Sequence, residues 1–366
     1  MNRQNLKNAK RIVIKIGTRI LVSREAYLNK KIISDFAAQI SKLLKKDYEI
    51  IVVSSGAIGA GMHLMGLKNR PKVLPELQAC AALGQGHLIK TYEDSFNRNG
   101  FHAAQVLLTE EDLKERDRHW NASNTLNALL RKRIVPVVNE NDTVSIDEIR
   151  FGDNDALSAR LSNFVKADLL IMLTDVEGFC IDNKCVDIVR EIDLNIKRQA
   201  LEAKNEFSRG GMRTKLEACS IAMSSGVHCV IADGRSKDII LKVVSGEKVG
   251  TLFVPKKNKM SIKKGWIAYN ARVQGNITVD EGARDALINK NRSLLASGIK
   301  SIEGDFKSGA IISINFGNCA PFAKGVSNYS SQDLEIIKGK TSRQIGKIID
   351  KGFYEEAVHR DNLVIL

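Results

Sequence analysis

Six short runs rich in valine and isoleucine punctuate the first two-thirds of this 366-residue chain, and they constrain its fold more than any other feature. They are RIVIKIG from Arg11, EIIVVSSG from Glu49, AAQVLLT from Ala103, RIVPVVNEND from Arg133, ADLLIMLTD from Ala167 and HCVIADG from His228. Most are apolar at successive rather than alternate positions, the pattern of strands covered on both faces, as in a parallel sheet. Amphipathic segments lie between them. In residues 31–46 the apolar Ile33, Phe36, Ala37, Ile40, Leu43 and Leu44 recur at intervals of three and four, leaving the lysines outside. Residues 123–132, 156–165 and 214–225 repeat the pattern. Strand alternating with helix predicts right-handed crossovers and a three-layer αβα domain with a mainly parallel sheet.

In such sheets ligands bind beyond the carboxyl ends of the strands. The polar clusters of this sequence fall at those ends: Lys15-Ile16-Gly17-Thr18, Ser54-Ser55-Gly56-Ala57, Asn139-Glu140-Asn141-Asp142 and Thr174-Asp175. After Val254 the character changes. Residues 255–264 carry Lys256, Lys257, Lys259, Lys263 and Lys264 with little apolar content, which reads as a solvated linker. Beyond it come short β-rich pieces separated by glycine: NITVDEG, GIKSIEGDF, GAIISINF and GVSNYS. The expected organisation is an α/β domain over residues 1–254, the linker, and a small β-rich domain over residues 265–366.

The net charge of +14 makes nucleic acid or an acidic ligand a suspicion. No tail concentrates that charge: residues 263–366 hold 15 basic and 11 acidic side chains, so the plainer reading is a basic surface. The N-terminus lacks an apolar secretion core, and no apolar run approaches the roughly 20 residues of a membrane helix. A cytoplasmic protein without membrane contact is expected. The six cysteines form no Cys-x-x-Cys pair and no histidine sits at finger spacing from them, so they read as reduced, packed thiols and no protein-held metal is expected.

A P-loop is excluded: the nearest miss begins at Gly61, where Gly66 is followed by Leu67. Gly56-Ala57-Ile58-Gly59-Ala60-Gly61 has its glycines in the reverse of the dinucleotide fingerprint, and no strand-end acid follows. Two other loops suit phosphate. Ser-Ser-Gly-Ala exposes backbone N–H groups where a helix begins, and Arg209-Gly210-Gly211-Met212-Arg213-Thr214-Lys215 is a second glycine-rich helix start. Lys15 lies inside an apolar strand, where an unpaired charge is costly unless it faces an anion. Gly152-Asp153-Asn154-Asp155 precedes a helix and holds more acid than capping needs. The six histidines show no triad spacing.

With Lys15, Ser-Ser-Gly-Ala, Asn-Glu-Asn-Asp, Gly-Asp-Asn-Asp, Leu-Thr-Asp and Gly-Gly-Met-x-Thr-Lys in this order, the chain resembles the glutamate 5-kinases, within the amino acid kinase fold family. Thr278-Val279-Asp280-Glu281-Gly282-Ala283 and His359-Arg360-Asp361 look like that family's C-terminal PUA domain. The resemblance implies transfer of the ATP γ-phosphate to the side-chain carboxylate of L-glutamate. It implies that Ser55, Gly56, Ala57, Asp142, Asp153 and Asn154 bind the substrate. Lys15, Thr174, Asp175 and the run Gly210, Gly211, Met212, Arg213, Thr214 and Lys215 are similar to the ATP site. Lys15 and Lys215 look like the catalytic cations, with Asp155 holding them, and Mg²⁺ is expected on the ATP phosphates. Two departures bear on the nucleotide: the loop begins Ser208-Arg209 rather than Gly-Thr, and no Tyr-Thr-Ala-Asp-Pro run follows Gly178.

The chemistry suits that assignment, since phosphoryl transfer depends on positioning and charge stabilisation, and a carboxylate nucleophile needs no general base. The rival within enzymes is an aspartate or acetylglutamate kinase; Asp142 and Asp153 favour a free amine. The rival from another class is an RNA-binding protein acting through its PUA-like domain, against which stand 5% aromatic residues and dispersed charge. The resemblance also suggests a homo-oligomer, dimer or tetramer, and leaves feedback inhibition by proline open.

Overall fold

The computed structural model describes residues 3–23, 27–144, 154–182, 184–202, 211–255, 264, 267–268, 271–317, 319–346 and 354–366. Asp153, Gly210 and most of the expected 255–264 linker therefore lie outside the described residues. The chain forms two compact units, the larger made of residues 1–113 and 117–259 and the smaller chiefly of residues 260–366.

In the larger unit the described strands are β1 (Arg11–Ile16), β2 (Glu49–Ser54), β3 (Ala103–Leu108), β4 (Val135–Glu140), β5 (Leu169–Thr174), β6 (Cys180–Ile181), β7 (Lys184–Cys185), β8 (Ile188–Val189), β9 (His228–Asp233) and β10 (Thr251–Phe253). Eight of them make one sheet, in the order β3-β4-β2-β1-β5-β9-β10-β8. Every pairing from β3 across to β9 is parallel. β10 then runs antiparallel to β9 and parallel to β8. The six apolar runs of the sequence are the parallel part.

Side-chain alternation sorts the strands between two helical layers. Ile12, Ile14 and Ile16 of β1 join Ile50 and Val52 of β2 in a core built with the helices Lys30–Leu44, Leu74–Asn97 and Ile239–Val244. Val13 of β1 and Ile51 and Val53 of β2 face the opposite core, with the helices Arg116–Arg131, Asn154–Phe164 and Met212–Ser224. Both sides of each central strand are buried, which is why these runs lack polar alternation. Lys15 shares its parity with Val13. It therefore falls on the face where the Asn154 and Met212 helices begin.

The Gly-x-x-Gly-x-Gly run, set aside as a dinucleotide loop, has a packing role. Gly56 adopts a φ of 105°, open to glycine at little strain, and turns the chain into the helix Ala57–Leu64. A Cβ on Gly61 would lie 1.8 Å from the Cys80 carbonyl oxygen, and one on Gly84 only 1.9 Å from that of Ala57. Two helices thus meet backbone to backbone, Ala57–Leu64 against Leu74–Asn97, and the second is a 24-residue helix that sequence periodicity had not revealed.

The cysteine expectation is corrected at one pair. The β6–β7 hairpin sets Cys180 opposite Cys185, with Cα atoms 3.9 Å apart, and their sulfurs are joined in a disulfide. A separation of five residues across a turn makes them cross-strand neighbours, which a search for Cys-x-x-Cys does not detect. Cys80, Cys219 and Cys229 are free and buried, as expected, and Cys319 is free and exposed.

The smaller unit is β-rich. Its strands β11 (Gly275–Val279), β12 (Ile299–Glu303), β13 (Ile311–Phe316), β14 (Ala323–Val326) and β15 (Leu363–Ile365) pair in the order β12-β11-β13-β14-β15. β11 and β13 are parallel and the other pairings antiparallel. Ile277, Val279, Ile312 and Ile314 make its core with Leu287 and Leu334 from two short helices. Asp280 and Ser330 cap those helices, Ser330 within a capping box closed by Asp333.

Candidate active site

The site is built at the carboxyl ends of β1, β2, β4 and β5. The helix Asn154–Phe164 starts there, and its first two residues each organise a cluster. Asp155 takes the cations. Its Oδ1 lies 2.5 Å from Lys15 Nζ, and its Oδ2 lies 3.4 Å from Lys215 Nζ and accepts from Thr214 Oγ1 at 3.1 Å. The Lys15, Lys215 and Asp155 side chains are only 9%, 12% and 5% exposed. Burial alone would raise the Asp155 carboxyl. The charges of Lys15 and Lys215, with hydrogen bonds from Lys15 and Thr214, outweigh it and hold the group below the usual carboxylate range. One carboxylate thus holds two ammonium groups on a water-poor surface, leaving a net positive charge.

Asn154 organises the second cluster. Its Nδ2 donates to Ser55 Oγ at 2.9 Å, to Asn139 Oδ1 at 3.0 Å and to the Ser54 carbonyl at 3.3 Å. Asn139, near the end of β4, in turn donates through Nδ2 to Gln85 Oε1 at 2.9 Å. Ser54 Oγ is 3.0 Å from the hydroxyl of Tyr92, whose phenol burial pushes well above its ordinary value. Gln85 and Tyr92 both come from the helix Leu74–Asn97.

A third group sits at the end of β5, the neighbour of β1. Thr174 Oγ1 donates to Asp175 Oδ1 at 3.2 Å, and Arg19 Nη1 pairs with Asp175 Oδ2 at 2.9 Å. Burial pushes the Asp175 carboxyl up, but the Arg19 hydrogen bond and charge prevail and lower it.

The structure brings together Lys15, Asp155, Thr214 and Lys215, and sets Ser55 with Asn154. Gly56 and Ala57 follow directly at a helix start. Gly211 is the N-cap of the helix Met212–Ser224, with no side-chain cap, so backbone N–H groups are presented there. Arg213 does not join the clamp: its guanidinium pairs with Glu217 at 2.9 Å and is 71% exposed. Asp142 is half-buried in the turn after β4. Sequence reasoning missed Gln85, Tyr92, Arg19 and the use of Asn139. For Gln85 a signal existed, a polar residue on the buried stripe Leu77, Cys80, Ala81, Gly84, Leu88 of a helical pattern.

Paired cations and backbone amides at the strand ends of an αβα sheet are the groups that phosphoryl transfer calls for. Residues 10–233 match the amino acid kinase family and residues 275–349 match the PUA domain. The chain belongs to the amino acid kinase family, whose members use ATP as kinases. Over essentially its whole length it is similar to curated proteins named glutamate 5-kinase. That of Thermoanaerobacter sp. (strain X514) is 44% identical over 97% of this chain and 98% of the relative. That of Geobacter sp. (strain M21) is 40% identical over 100% of both chains, and that of Carboxydothermus hydrogenoformans 44% identical over 100% of both. A solved structure of Giardia carbamate kinase, 16% identical, covers 68% of this chain and 99% of its own with a TM-score of 0.48, too slight a likeness to argue from. Among the described residues no helix is long and apolar enough to cross a membrane.

Proposed function

We propose that this chain is an ATP-dependent kinase that phosphorylates the side-chain carboxylate of L-glutamate, giving L-glutamyl 5-phosphate, the first step of proline biosynthesis. The observation that carries the reading is the Asp155 clamp, two buried lysines on one carboxylate beside the Ser55–Asn154 amide cluster. The names of the full-length relatives supply the substrate.

Each residue has a role under this reading. A carboxylate oxygen of glutamate attacks the γ-phosphorus, the bond to the β,γ-bridging oxygen breaks, and ADP leaves; no proton need move. Lys15 and Lys215 face the charge spread over the transferring group, and Asp155 keeps both in place before ATP arrives. Ser55, Gly56 and Ala57 hold the acceptor near its reacting carboxylate, with Asn154, Asp142 and Asp153 as further ligands. Thr174, Asp175 and the loop Gly210–Lys215 hold the nucleotide, whose phosphates meet the backbone N–H groups at the Met212 helix start, where Gly211 provides no side-chain cap.

Both Asp155 oxygens already face ammonium groups, so this carboxylate is committed to the lysines. Mg²⁺ would come with the ATP phosphates and would supply further charge neutralisation there, beside Lys15 and Lys215. The product is an acyl phosphate. It is therefore trapped by hydroxylamine as a hydroxamate, and the test is hydroxamate formation that depends on both ATP and glutamate. ADP release without any hydroxamate would place the phosphoryl group elsewhere and overturn the reading. A homo-oligomer and feedback inhibition by proline extend the proposal, to be checked by light scattering and by proline titration of the same assay.

A further inference from the structure

The relay Gln85–Asn139–Asn154–Ser55 has two loose ends, and its polarity is fixed. Asn154 Nδ2 faces the Ser54 carbonyl, which can only accept, so the Asn154 amide must present its nitrogen there. Asn139 must then offer Oδ1 to Asn154 and Nδ2 to Gln85, and Gln85 must offer Oε1. Flipping any one of the three amides sets nitrogen against nitrogen or oxygen against oxygen. Gln85 Nε2 at one end and Asn154 Oδ1 at the other are left buried without a hydrogen-bond partner. Gln85 as a whole is 7% exposed. Buried polar groups in folded proteins are nearly always paired, and two orphans of opposite sense in one network at a ligand site call for a ligand that completes both.

A free amino acid has the matching pair, a carboxylate that accepts and an ammonium that donates. We propose that Gln85 is a substrate-binding residue whose Nε2 donates to the α-carboxylate of the bound amino acid, opposite the Asn154 oxygen that accepts from its α-ammonium. This rests on the glutamate reading above. The α-carboxylate is chosen over the reacting one because Asp155 and its lysines adjoin Asn154, whereas Gln85 lies two amides away along the relay. Gln85 also sets the polarity of Asn154 through Asn139, so it bears on specificity for a free amino acid.

The test separates donor from scaffold. Gln85→Glu keeps the oxygen that Asn139 needs and removes the donor; Gln85→Met keeps the length and removes both. Turnover of glutamate by the wild-type protein checks the underlying reading first, and its absence would overturn both. With that in hand, Gln85→Glu is expected to raise the KM for glutamate about tenfold or more while the KM for ATP holds. It is also expected to shift preference toward glutamic acid α-amide, whose N–H groups suit the new carboxylate, by about tenfold in the ratio of kcat/KM values. Gln85→Met should raise the glutamate KM without that shift. A glutamate KM within about twofold of wild type in Gln85→Glu, or equal losses toward glutamate and the α-amide, would show support alone and overturn the proposal. Nucleotide binding by calorimetry verifies that each variant is folded. Should Gln85→Glu fail to fold, an unchanged glutamate KM in Gln85→Met overturns the proposal by itself.

Discussion

Asp155→Asn removes one charge and almost no volume, and its consequences can be worked from the clamp. The wild-type carboxylate neutralises part of two ammonium groups whose side chains are 9% and 12% exposed. Asparagine still offers Lys15 an oxygen, but both cations lose their counter-charge and repel one another. Removing one partner of a buried ion pair costs about 3–5 kcal/mol, and the retained oxygen argues for the lower end. At roughly 2–4 °C per kcal/mol for a unit of this size, a loss of about 3 kcal/mol lowers the melting temperature by roughly 6–12 °C. Calorimetry of the nucleotide-free protein reads this directly. Excess ATP should recover part of the loss, since phosphate oxygens then face the lysines. The pH dependence has a definite sign. The folded Asp155 pKa is lowered, so its contribution is complete above the unfolded carboxylate pKa and is lost as pH falls through the folded one. The gap between wild type and Asp155→Asn should stay flat from neutral pH down to about pH 4 and close below it. A melting temperature within about 2 °C of wild type, with kcat near normal, would refute the clamp and leave Asp155 as an ordinary helix-start residue.

Lys15→Ala and Lys215→Ala should each cut kcat by roughly 10²–10³ in ADP-release assays, with native circular dichroism; a near-normal kcat would demote that lysine. Gly84→Ala forces a Cβ to within 1.9 Å of the Ala57 oxygen, so it should displace the Ser55–Ala57 loop and raise the KM for glutamate more than that for ATP. A chain ending near Lys259 should fold and keep glutamate kinase activity, because every residue assigned to chemistry precedes Val254; a folded but inactive product would show that the smaller unit completes the site.

The strands that carry the site were legible because each is long enough to show its apolar run, and the polar clusters could be placed at their ends from the sheet class alone. β8 and β10, two and three residues long, are too short for periodicity to register. The helix Leu74–Asn97 escaped notice because Gly84 interrupts its apolar stripe and the exposed Gly86 is a poor helix former. The reason for Gly84 is tertiary, a backbone contact with Ala57. Lys15, Asp155 and Lys215 were recoverable from their setting in apolar or glycine-rich contexts and from family resemblance. Gln85 shows only as a polar residue on a buried helical stripe; its pairing with Asn139, 54 residues away, is tertiary and has no sequence signal. Arg213 shows the converse: motif position suggested the nucleotide, while the helix directs its side chain to Glu217 and solvent.

The central claim is that the acceptor is free glutamate, and ADP release by the purified full chain measures it. The rate is recorded with ATP and Mg²⁺ in the presence of glutamate, aspartate or acetylglutamate in turn, at equal concentrations. The donor and acceptor left open in the amide relay predict that acetylglutamate, lacking an α-ammonium, stimulates turnover far less than glutamate, and the glutamate reading proposed above predicts the same of aspartate. Equal stimulation by acetylglutamate, which has no α-ammonium, or turnover with aspartate alone, would contradict the account.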